Sequence, residues 1–118
     1  MAENTTYTLT RYDSEMGGLT VGKIVFPADS ITAADYVELD IGAKPSYVSF
    51  QNVTDRIGIE HWIGDTDNTC LKSAANGTRT LETTNGGITL TTRGFRVTQN
   101  ATLAVIAASK TIRFHCVY

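Results

Sequence analysis

Apolar and polar residues alternate with a period of two through most of the chain. In DYVELDIGA, Val37, Leu39 and Ile41 share one side, and Tyr36, Glu38 and Asp40 the other. This is the signature of a half-buried strand. Lys44-Pro45 then turns the chain, and SYVSFQNV alternates again, Val48 and Phe50 against Tyr47, Ser49 and Gln51, so a hairpin is the simplest expectation here. After Thr54-Asp55, RIGIEHWI puts Ile57, Ile59, His61 and Ile63 on one side and Glu60 and Trp62 on the other. TRTLETTNGGITLTT reads as two short strands about Asn85-Gly86-Gly87, residues that accept the positive φ of a tight hairpin. GFRV adds a strand, and KTIRFHCVY closes the chain with Ile112, Phe114, Cys116 and Tyr118 opposite Arg113, His115 and Val117.

Only NATLAVIAASK, residues 100–110, has helical spacing, with Asn100 as a cap and Leu103, Ile106 and Ala107 on one side over one or two turns. Residues 1–20 differ again. They are polar, carry Tyr7, Leu9, Tyr12 and Met16 at scattered spacing, and end in Gly17-Gly18. They read as an extended arm lying across the domain or onto a neighbour, or else as an ordinary edge strand. Residues 21–118 are then one domain. Threonine, valine and isoleucine suit a pleated surface, and seven or eight short strands with frequent turns imply an all-β fold. The expectation is an antiparallel β-sandwich or jelly-roll-like barrel with at most one short helix and an extended N-terminal arm.

Composition narrows the function. A chain of 118 residues that is 42% hydrophobic and 19% charged suits one folded domain. The net charge of −2 and the lack of a Lys/Arg cluster argue against nucleic acid as the main partner. No apolar run reaches bilayer-spanning length, and the N-terminus lacks the basic and apolar regions of a secretory signal. Synthesis in the cytosol would leave Cys70 and Cys116 free and buried more readily than bridged. It also makes the sequons at Asn4, Asn52, Asn76 and Asn100 the chance product of an Asn- and Thr-rich chain.

The segment IGIEHWIGDTDNTCLKS gathers Glu60, His61, Trp62, Asp65, Asp67 and Cys70. A calcium loop starting at Asp65 would need Gly where Cys70 stands and Glu where Asn76 stands, so Asp65-Thr66-Asp67-Asn68 reads as turn chemistry. His61, His115, Cys70 and Cys116 lack zinc-site spacing, and adjacent His115 and Cys116 point to opposite sides of a strand. There is no nucleophile elbow, phosphate loop or dinucleotide fingerprint. No catalytic, cofactor or metal residue is therefore assigned, and the expectation is a protein that is not an enzyme. Trp62 becomes a contact residue if its side of the sheet is bare, and a core residue if that side is covered or a bulge turns it inward.

ITAADYVELDIGAKPSYVSFQNVTDRIGIEHWIGD, followed by ANGTRTLETTNGGITLTTRGFRVTQNATLAVIAASKTIRFHCVY, resembles small virion proteins encoded near the major capsid gene of tailed bacteriophages, over about residues 31–118. Similar proteins of the decoration or cement type are compact β-sandwiches or jelly-rolls that clamp neighbouring capsid subunits from outside. The resemblance implies a structural protein of the capsid exterior, made in the host cytoplasm. Its partner would be the major capsid protein, and it would act as a homo-dimer or homo-trimer without nucleic acid, membrane or cofactor. Tyr7, Leu9, Tyr12, Met16 and Trp62 are the candidate interface residues. The alternative is a carbohydrate- or receptor-binding sandwich of a tail or cell surface, with Trp62 or Tyr47 stacking on a sugar ring.

Overall fold

The computed structural model describes residues 3, 5, 7–13, 18–28, 31–32 and 35–118. They form ten strands: β1 (Thr8–Asp13), β2 (Leu19–Val25), β3 (Val37–Asp40), β4 (Tyr47–Asn52), β5 (Ile57–Trp62), β6 (Cys70–Ser73), β7 (Arg79–Glu82), β8 (Gly86–Leu90), β9 (Gly94–Gln99) and β10 (Thr111–Val117). The strands make a 7-stranded sheet in the order β1-β2-β10-β4-β5-β6-β7 and a 3-stranded sheet in the order β3-β9-β8. Strand pairing is antiparallel throughout both sheets, so the architecture is the all-β sandwich that the alternation implies.

The alternation fixes which side chains meet between the layers. The larger sheet contributes Ile24, Val48, Phe50, Ile59, Ile112, Phe114 and Cys116, and the smaller one Val37, Leu39, Ile88, Phe95 and Val97; all are buried. Phe95 stands edge-on to Phe114 at 5.6 Å and to Phe50 at 6.4 Å, the geometry favoured by aromatic quadrupoles. Phe114 also lies over Gly22, its cross-strand neighbour, where a Cβ would come within 2.2 Å of the ring.

Two expected hairpins do not form. Lys44-Pro45 and Asn85-Gly86-Gly87 both carry the chain from one sheet to the other, since β3 pairs with β9 and not β4, and β8 pairs with β9 and not β7. Alternation says which side of a strand is buried, not which strand lies beside it. The glycines serve close approach instead of a hairpin turn. A Cβ on Gly86 would lie 2.5 Å from the Thr98 carbonyl oxygen, and one on Gly87 2.4 Å from the Thr69 carbonyl carbon.

Residues 100–110 form no helix either. Asn100 does cap a turn, its Oδ1 accepting from the amides of Thr102 and Leu103, and Ala104 N–H closes one turn on the Asn100 carbonyl. The turn stops there, because Ala104 adopts φ 46°. The segment instead plugs the sandwich: Leu103, Val105 and Ile106 are buried. The plug's backbone is satisfied by side-chain amides: Gln99 accepts from Ile106 N–H at 2.7 Å and donates to its carbonyl at 3.0 Å, while Asn52 donates to the Val105 carbonyl at 3.1 Å. Buried backbone groups need such partners once helix bonds are given up.

Thr8–Asp13 make the edge strand β1 against β2. Before it, Tyr7 packs edge-on to Phe26 at 5.8 Å, and Glu3 bridges to Tyr36 beside β3. Arg11 reaches from β1 to the carbonyls of Asp40 and Ile41 at the end of β3, tying the two sheets together along one flank.

Two glycines distinguish rigid from yielding neighbours. A Cβ on Gly94 would sit 1.9 Å from the backbone oxygen of Leu39, whereas one on Gly58 would meet the flexible side-chain amide of Gln51 at 1.9 Å. Gly94→Ala is expected to cost about 2–3 kcal/mol, and Gly58→Ala less than about 1 kcal/mol, in urea unfolding. Equal losses would show that Leu39 can yield as easily as Gln51.

Candidate interaction face

The smaller sheet covers only the inner side of the larger one. Its own outer side is polar: Arg96 pairs with Glu38 at 3.4 Å and lies 4.7 Å over the Tyr36 ring, and Arg93 pairs with Asp40 at 3.0 Å. Beside these pairs is an open depression of about 320 Å³ lined by Glu3, Glu38, Leu39, Asp40, Thr91 and Arg93.

The outer side of the larger sheet is different in kind. Cross-strand register sets Leu19, Val117, Tyr47 and Trp62 in one row, and Tyr12, Val21, His115, Ser49 and Glu60 in the next. Leu19, Val21, Val117, Trp62 and Tyr12 are all exposed, Trp62 at 42% and Tyr12 at 60%. Trp62 packs against Tyr47 at 5.4 Å, and Tyr47 against His115 at 5.5 Å. The Tyr47 hydroxyl donates to Glu60 at 2.8 Å, and Arg79 grips the other carboxylate oxygen at 2.9 Å. Burial, and then the Glu60 carboxylate, raise the Tyr47 pKa above its ordinary value. Aromatic rings held this way present contact area at little further entropic cost. Beyond these rows, Lys23 lies directly opposite Arg113 on the same face. Like charges facing each other across strands are unfavourable without a counter-charge.

Of the five residues chosen from sequence, the structure brings Tyr12 and Trp62 onto this one face, with β2, β10 and β4 between them. Trp62 is thus a surface residue and not core. Leu9 pairs with Ile24 and points to the other side of the sheet, Tyr7 is half-buried on Phe26, and Met16 lies outside the described residues. Leu19, Val21 and Val117 stand beside Tyr12 and Trp62 on this face. Their only signal in the sequence is the alternation of LTVGKIV and KTIRFHCVY, which names a second side but not whether anything covers it.

The segment 57–73 is built as a strand, a turn and a strand. Asp65 accepts from Trp62 N–H at 3.1 Å, Thr69 donates to the Thr66 carbonyl at 2.6 Å, and Asn68 takes φ 63°. A bridge between Thr69 and Ile88 pins this loop to the smaller sheet. Buried His61 approaches the Thr69 carbonyl through Nδ1 at 2.8 Å; a carbonyl only accepts, so Nδ1 carries the proton. Among the described residues, no group of three or more His, Cys, Asp or Glu side chains could hold a metal ion.

Both cysteines are free and buried. Burial, reinforced by Glu82, pushes the Cys70 thiol up to about 12, and burial pushes that of Cys116 up to about 11. No helix is long and apolar enough to cross a membrane among the described residues. No family model matches this chain, and neither does any curated protein or solved structure.

The raised thiol values give a signed expectation. A group whose folded pKa exceeds its unfolded one stabilises the fold below the unfolded value, here 9.0, and loses that contribution as pH climbs toward about 11 and 12. At pH 8 both thiols should resist an aromatic disulfide reagent in the native protein and react fully in denaturant. Replacing both by Ser should remove part of the stability loss above pH 9. Rapid native labelling of either cysteine would contradict this.

Proposed function

We propose that this protein is a structural virion component that attaches to the outside of a bacteriophage capsid and cements neighbouring major capsid protein subunits. The carrying observation is the bare apolar side of the larger sheet, with Tyr12, Leu19, Val21, Val117 and Trp62 exposed together. Isolated exposed apolar residues are ordinary, but a contiguous set on one face calls for a partner. The sequence resemblance over about residues 31–118 supplies the kind of partner. Lys23 and Arg113 at one end of the face specify its chemistry further: an apolar patch flanked by carboxylates.

Purified protein should co-sediment with shells of its own phage and raise their resistance to heat or low salt. Val21→Asp and Val117→Asp, both at exposed outer positions, should keep the fold and weaken binding at least about tenfold. Shells that neither bind the protein nor gain stability from it would end this reading.

A second reading, a carbohydrate-binding module, is favoured by one feature: the Trp62–Tyr47 ring pair, inclined at 48°, with Glu60 and Arg79 beside it. Exposed rings beside polar groups suit a sugar's apolar face and hydroxyls. Glycan capture that Trp62→Ala abolishes would transfer the conclusion to this reading.

A further inference from the structure

The two sheets present four edges, and three of them are blocked or short. Beside β3, Glu3 forms a parallel bridge with Tyr36. Beside β8, Ile88 N–H bonds to the Thr69 carbonyl at 3.1 Å and Asn68 N–H to the Ile88 carbonyl at 3.2 Å. The β7 edge has only four residues, and its Arg79 is held by Glu60. The β1 edge has six residues, every one exposed, and no described strand lies on the side away from β2.

Exposed edges ordinarily carry proline, charged side chains such as lysine, or a bulge that repels another strand. β1 has no proline, lysine or bulge: its sequence is TLTRYD, and its register with β2 runs unbroken from Thr8↔Val25 to Asp13↔Thr20. Its two charges are already committed. Arg11 bonds Asp13 at 2.8 Å and the Ile41 carbonyl at 2.6 Å, and Asp13 also accepts from Thr20 at 2.8 Å.

We propose that β1 is a dimerisation strand, pairing antiparallel with β1 of a second copy about a two-fold axis normal to the sheet, with Thr10 opposite the partner's Thr10. Such an axis keeps outer side chains beside outer side chains, so only registers of matching parity are allowed. The two with the greatest overlap centre on Thr10 or on Arg11. Centring on Arg11 would oppose two guanidinium groups. Centring on Thr10 sets threonine against threonine, Tyr12 beside the partner's Thr8, and Arg11 beside the partner's Leu9, all favourable or neutral cross-strand pairs. A self-matching strand is what makes a second copy the occupant.

A two-fold axis normal to the sheet turns both outer faces to the same side, so one dimer offers two coplanar copies of the Tyr12–Trp62 face. If that face meets a capsid, the dimer is bivalent and gains avidity without a new contact. The pairing itself does not depend on what the face binds.

The test uses the full chain alone, by sedimentation and light scattering from about 1 to 100 μM, with thermal unfolding as the check on fold. Wild type should be a dimer in this range. Thr10→Lys, which places like charges at the axis, should raise the dimer dissociation constant about tenfold or more, and Thr10→Glu, whose carboxylate sits opposite its own Lys23, should raise it less. An equimolar mixture of the two should recover the dimer. The proposal is overturned by a wild type that stays monomeric, by a Thr10→Lys protein as dimeric as wild type, or by a mixture that fails to recover. No shell enters the experiment, so its failure leaves the capsid reading standing, and a failed shell-binding assay leaves the dimer standing.

Discussion

The contact on which the rest depends is the insertion of Phe95 between Phe50 and Phe114. One ring from the smaller sheet meets two from the larger, and all three are buried. Three of the chain's four phenylalanines meet there, and aromatic edge contacts add to the area they remove from water. Gly22 makes room for Phe114, and Gly94 lets β9 lie close against the Leu39 carbonyl of β3 within the smaller sheet. The smaller sheet is thereby held at the middle of the larger one, and the plug of Leu103, Val105 and Ile106 closes the remaining space.

That arrangement determines where function can reside. Three strands and a plug bury the inner side of β2, β10, β4 and β5, and the described residues supply no further layer for the other side. The outer side of the smaller sheet meets solvent with ion pairs and a stacked arginine, as an uncovered antiparallel sheet normally does. The outer side of the larger sheet also has an ion pair, Glu60–Arg79, and two cations, Lys23 and Arg113, but beside them it carries Leu19, Val21, Val117, Tyr12 and Trp62 exposed together. The difference between two solvent faces of one molecule is a stronger indication than either face alone, because composition and chain length are the same for both.

Much of this was legible in the sequence. Val37, Leu39, Ile41, Val48, Phe50, Ile112, Phe114 and Cys116 were placed on buried sides by alternation alone, and all are buried. The turn at Asp65-Thr66-Asp67-Asn68 followed from Asx chemistry. Strand neighbours were not legible, because the same Lys-Pro or Asn-Gly-Gly sequence suits a hairpin or a crossing between layers. Residues 100–110 misled for a related reason: helical spacing is also the spacing of a short plug, and the deciding bonds come from Gln99 and Asn52. The interaction face was half legible. Tyr12 is a candidate through the N-terminal arm and Trp62 is open between contact and core in the sequence, and only the unequal size of the two sheets shows that Leu19, Val21 and Val117 stand beside them.

The face is also polarised along the strand direction, and this bears on how it would discriminate between partners. Its aromatic row lies toward the β5–β6 loop, while Lys23 and Arg113 lie toward the other end. A uniformly apolar face would adhere in many orientations and to many surfaces, including copies of itself. Two like charges placed side by side cost stability in isolation, and the cost is recovered only against a carboxylate in one position relative to the apolar patch. Rim charges of this sort set orientation and reject wrong partners more than they add affinity. On such a partner the rings would supply the adhesion and the cations the register, so that a surface made of common residues could still be selective.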